Sequence, residues 1–122
     1  MPSRRGSFRE LAAGRRTIAW IVLLFAGLLE VVWAFAMKQS AGFTRPWWTA
    51  LTGIALAGSM ALLSVAMRSL PLGTAYTIWT GIGAVGAFVL GVVMLGEAAT
   101  PLRLVAAAMI VGGVALMKWA SP

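Results

Sequence analysis

Glu30 is the residue on which chemistry could turn, because it is an acid in the middle of an otherwise uncharged apolar run from Thr17 to Met37. As a helix rising ~1.5 Å per residue, such a run crosses the ~30 Å hydrocarbon core of a bilayer, and Glu30 falls near its centre. A lone charge there is costly, so an acid at that depth is protonated, paired or facing water, and marks a site of function by default. Gly27, Trp33 and Ala34 lie three or four residues from it and share its helix face. Downstream, Tyr76, Trp79, Thr80 and Gly83 follow helical spacing, so a hydroxyl, an indole and a glycine line one stripe. Ser59 is a hydroxyl in mid-span. Its side chain either bonds back to the carbonyl four residues earlier or serves a site. Tyr76 and Trp79 likewise suit either an interfacial aromatic belt or a site.

The chemistry open to these residues is ion exchange. A carboxyl group kept from bulk water can carry a proton at cellular pH and give it up for a cation. Proton and cation then compete for one group, and a protein whose two faces open alternately couples their movements in opposite directions. Trp33 can donate its indole N–H to Glu30. Ser59 and Tyr76 can supply hydroxyls, and Trp33 and Trp79 can offer ring faces to a delocalised cation.

Composition removes most alternatives. With 61% hydrophobic and 11% charged residues over 122 positions, the chain is too apolar for a soluble domain and too short for two domains. It lacks cysteine and histidine, so thiolate and imidazole metal sites, disulfides and the commonest general base are excluded; no metal and no cofactor are expected. A membrane enzyme is the weakest reading, since no nucleophile and base pair is present. The net charge of +7 does not form one patch but sits in a tail and at the ends of apolar runs, which suits a membrane protein better than a nucleic-acid binder.

Four spans must position these groups, at about 17–38, 46–67, 71–95 and 101–119, giving an all-α membrane protein. Lys38 ends the first span, and Pro46 with Trp47 and Trp48 opens the second. Gly53, Ala57 and Ala61 give the second span a small-residue face. Gly81, Gly83, Ala87 and Gly91 predict close packing or a hinge in the third, and Ala108 with Gly112 predicts helix association through the fourth. Glu97, at a helix end, is expected at headgroup level within reach of Arg103. Four short helices cannot enclose an aqueous path alone, so a second copy facing the first is implied.

These features resemble the small multidrug resistance family, and within it the guanidinium exporter subtype. The resemblance rests on Gly27-Leu-Leu-Glu30-Val-Val-Trp33-Ala, Lys38-Gln-Ser-Ala-Gly42-Phe43-Thr44-Arg45, Pro71-Leu-Gly-Thr-Ala-Tyr76-Thr-Ile-Trp79-Thr-Gly-Ile-Gly83-Ala and Gly96-Glu97, and it spans residues 17 to about 119. It implies a multi-pass protein of the bacterial inner membrane, working as an antiparallel, dual-topology dimer. It implies proton-coupled antiport of guanidinium or related small cations at Glu30, with Trp33, Ser59, Tyr76 and Trp79 ordering that glutamate and Gly27 making room beside it. The subtype follows from Trp33, where the family's polyaromatic-drug exporters have a small residue. A broader quaternary ammonium exporter is the alternative transporter reading. A non-transporting membrane subunit is the alternative from another class, and it predicts a dispensable Glu30.

Residues 1–16 depart from the family pattern. They read as a disordered basic tail, either a true extension or an overextended gene start, with the four-helix transporter domain at 17–122. Ser3-Arg4-Arg5 with Phe8 faintly suggests a twin-arginine export signal, but the following run is too long, contains Glu30 and ends in no small-residue cleavage site. Arg4, Arg5, Arg9, Arg15, Arg16, Arg68 and Lys118 should share one membrane face, against Lys38, Arg45 and Arg103 on the other. The core alone is nearly unbiased, whereas the tail favours the N-terminus inside, so the expected partner is a second copy in a homodimer or, for a biased copy, a differently oriented paralogue.

Overall fold

The computed structural model describes residues 4–121 and consists of four helices, α1 (Arg4–Gln39), α2 (Pro46–Ala66), α3 (Leu72–Leu95) and α4 (Pro101–Ala120). All four are long and apolar enough to cross a membrane. The N-terminal segment differs from expectation. Residues 4–16 are not an irregular tail but the first turns of α1, which runs unbroken for 36 residues, about 54 Å at ~1.5 Å per residue. The physical reason lies in the segment itself: Arg, Glu, Leu and Ala predominate from Phe8 to Arg16, and only Gly14 weakens the helix. Residues 1–3 lie outside the described part.

α1 is the organising helix, packing along both α2 and α3, which meet each other far less. The core forms on one side of the Glu30 level, from Ala19, Leu23 and Ala26 of α1, Leu63 and Ala66 of α2, Leu70 before α3, and Ala75, Ile78 and Trp79 of α3. The alanines let the helix backbones approach, while Leu23 and Ile78 fill the space between them. The backbone of α4 approaches α3 alone, and α4 contains no buried residue. Lys118 nevertheless reaches over the Trp20 ring, 5.4 Å from its centroid, so the C-terminal end of α4 and the start of the α1 span lie at one membrane face.

The connections are short and tightly bonded. Between α1 and α2, Ala41, Gly42 and Phe43 are all left-handed, with φ of 49°, 73° and 64°. Such a run is disfavoured for alanine and phenylalanine. It is held by fully buried Ser40, whose Oγ donates to the Met37 carbonyl at 2.6 Å and accepts from the Phe43 N–H at 3.0 Å. Pro46 begins α2 in the first turn, where its missing N–H would be unused anyway. Gly96, left-handed at φ 69°, ends α3. Thr100 caps α4 by accepting from the Arg103 N–H, with Pro101 in the first turn.

Candidate functional site

Glu30 projects from the middle of the α1 span toward α3. Its carboxyl group occupies the space a side chain at Gly83 would fill, so a Cβ there would overlap it. The same face of α1 meets α3 twice more. A Cβ on Gly27 would come within 2.6 Å of Ile82 Cγ2, and Val31 lies against Gly86. Glycines at 27, 83 and 86 therefore let two helices close on each other with a carboxyl between them. Gly86 belongs to the glycine-rich run that the sequence marks for close packing in the third span, whereas Ile82 was not singled out; its signal is its place beside Gly83.

Beneath Glu30 lies a hydrogen-bonded chain that joins three helices. The Trp79 indole N–H donates to Ser59 Oγ at 3.0 Å, and Ser59 Oγ donates to the Ala26 carbonyl at 2.6 Å. Both side chains are buried. Ser59 thus bonds across to α1 rather than back to its own helix. In helical geometry the Ala26 carbonyl also accepts the N–H of Glu30, so the chain ends on the backbone turn that carries the acid. Ala26 is invisible to sequence reasoning, because a backbone carbonyl can accept a bond from any residue type.

The indole of Trp33 does not take the role expected of it. Glu30 Oε2 and Trp33 Nε1 are both shielded from solvent, and neither has a hydrogen-bond partner among the described residues, so Trp33 does not donate to Glu30. One buried acceptor and one buried donor on the same helix face are left unsatisfied, a costly arrangement that normally signals a missing partner. Tyr76 packs its ring on Trp79, with centroids 5.5 Å apart, yet remains 53% exposed on the outer side of α3.

The helix-packing residues divide. Gly81 receives Val114 of α4, and Gly91 receives the Glu97 carboxylate. Ala87 lines a 230 Å³ cleft together with Lys38 and Glu97. Nothing lies within 4 Å of a Cβ built at Gly112, and Ala108 is exposed, so the small-residue pair of α4 faces outward. α3 is one continuous helix through all its glycines. Arg103 does not pair with Glu97; its guanidinium donates to the Ala98 carbonyl at 2.5 Å and stacks 5.1 Å from the Phe88 ring centroid. Among the described residues no group of His, Cys, Asp and Glu could hold a metal ion.

Comparison with known proteins agrees with this architecture. The profile of the family described as Small Multidrug Resistance protein matches residues 18–120. Proteins named guanidinium exporter from Citrobacter freundii, Escherichia coli (strain K12) and Salmonella typhimurium are each 54% identical over 101 residues, covering 83% of this chain and 96% of theirs. The four apolar helices and these bacterial relatives make this a multi-pass protein of the bacterial inner membrane. With its spans, loops and buried acid falling within the matched residues, the chain belongs to the small multidrug resistance family.

Proposed function

We propose that the protein exports guanidinium and small guanidinyl cations in exchange for protons, with both competing for Glu30 in a chamber formed by two copies inserted in opposite orientations. The relatives are named guanidinium exporters over nearly their whole length. The observation that supports the site most directly is the unsatisfied pair, Glu30 Oε2 and Trp33 Nε1, buried together on one face of α1. A planar guanidinium offers N–H donors that match carboxylate oxygens, so it would supply the partner that Glu30 Oε2 lacks. Protonation removes the charge that binds guanidinium, so one carboxyl cannot serve both ions at once. The Trp79, Ser59 and Ala26 chain fixes the turn on which the acid is mounted. The outward-facing small residues of α4 and the exposed phenol of Tyr76 supply surfaces for a second copy, either identical or a paralogue of opposite orientation.

The test is uptake of guanidinium into liposomes containing only the purified chain, driven by an imposed proton gradient. Wild type concentrates guanidinium and dissipates the gradient, while Glu30→Gln does neither though it inserts normally. Guanidinium affinity falls as pH is lowered, because protons then occupy the carboxyl. Proton-driven transport by Glu30→Gln, or affinity that does not change with pH, would remove the assignment.

A further inference from the structure

The helical extension ahead of the family-matched residues builds a basic cleft that the transport reading does not use. Phe8, Leu11, Arg15 and Arg16 lie on the side of α1 that faces the turn before α3, and with Arg68 they line a cleft of 340 Å³. A second cleft of 420 Å³ shares Arg15 and Arg68 and continues over Ile18 and Val65 into the membrane span. Among the described residues none of Arg15, Arg16 and Arg68 forms a side-chain hydrogen bond or ion pair. The extension's acid, Glu10, lines neither cleft and lies about 200° around the helix from Phe8. Arg15, Arg16 and Arg68 thus line two adjoining clefts that have no acid in their walls, and the second carries Ile18, Val22 and Val65 beside two of these arginines.

From this juxtaposition we infer that Arg15, Arg16 and Arg68 form a binding site for the phosphate headgroup of an anionic phospholipid, with an acyl chain lying along Ile18 and Val65. Three cations lining one cleft with no acid call for a counter-anion, and guanidinium groups bind phosphate oxygens in paired hydrogen bonds. The aliphatic side chains of Ile18, Val22 and Val65 in the second cleft distinguish the occupant from a free anion, which would have no use for them. The depth is also right: Arg15 and Arg16 precede the apolar run, and Trp20, one turn further, packs under Lys118 at the same face. Because family matching begins at residue 18, two of the three arginines lie outside the shared region, and the site distinguishes this chain from that common core.

Native mass spectrometry of the full-length protein, titrated in detergent with phosphatidylglycerol or phosphatidylcholine, tests the inference. Wild type should retain phosphatidylglycerol at least tenfold more tightly, and Arg15→Gln, Arg16→Gln and Arg68→Gln should each weaken it about fivefold. Arg45→Gln, at the opposite face, should leave it unchanged. Sodium phosphate at the same concentration should not displace the lipid. Unchanged phosphatidylglycerol affinity in all three, an equal effect of Arg45→Gln, or displacement by inorganic phosphate would each overturn the lipid site.

Discussion

The carboxyl group of Glu30 rests where a side chain at Gly83 would be, so the acid on α1 and the glycine on α3 are two halves of one fit. Neither can change alone. Gly83→Ala should push the carboxylate out of register and lower proton-driven guanidinium transport at least tenfold, while the protein still inserts. The same liposome assay reads it, and normal transport by Gly83→Ala would show that the carboxyl does not need this position.

Ser59 connects Trp79 of α3 to Ala26 of α1, so Ser59→Ala removes two hydrogen bonds and strands the indole N–H. A loss of about 1–2 kcal/mol in unfolding free energy is expected, near the upper end for interhelical bonds in membranes. Trp79→Phe combined with Ser59→Ala should cost less than the two single effects added, since both act on one chain. Reversible unfolding in mixed micelles measures this, and strict additivity would refute the coupling.

Trp33 carries a buried, unsatisfied donor one turn from Glu30 on the same helix. Trp33→Gly should weaken guanidinium exchange and admit bulkier aromatic cations, since a quaternary or polyaromatic cation needs apolar room rather than N–H acceptors. Parallel assays with guanidinium and a polyaromatic cation decide it. An unchanged ratio of the two activities would remove the selectivity role of Trp33.

Glu97 is exposed, and its carboxylate folds onto Gly91 at the far end of α3, away from the Ser59 chain. Glu97→Gln should therefore leave transport within about twofold of wild type, in contrast to Glu30→Gln, because solvated charges contribute little. Equal losses in both variants would show that Glu97 belongs to the exchange site.

The basic extension should also set orientation. Full-length protein should insert predominantly with its N-terminus inside, whereas a chain starting at Ile18 should insert both ways, because cations near a span end are retained on the cytoplasmic side. Reporters fused to the C-terminus distinguish the two, and one orientation for both chains would contradict the charge argument.

The sequence by itself determined the four spans, the short connections, the family and the central place of Glu30. The spans, the connections and the depth of Glu30 depend on local physics: apolar length, turn residues such as Pro46 and Pro101, and the cost of a charge inside a membrane; the family followed from the resemblance of motifs such as Gly27 to Ala34. Tertiary structure decided what each polar group touches. Helical spacing placed Trp33 on the face of Glu30 but could not show that its N–H leaves the carboxylate unbonded, because rotamers follow from neighbouring helices. Ser59 had two open fates, and only the approach of α1 within 2.6 Å of its hydroxyl selected the crossing bond. Arg103 lay within sequence reach of Glu97, yet the Gly96 turn at φ 69° precedes a carbonyl at Ala98 that takes the guanidinium instead. Residues 4–16 read as a disordered tail from their charge and lack of apolar periodicity, and the structure shows them helical; nor could the sequence place Arg15 and Arg16 in one cleft with Arg68. Residues more than fifty positions apart become neighbours only when the helices pack.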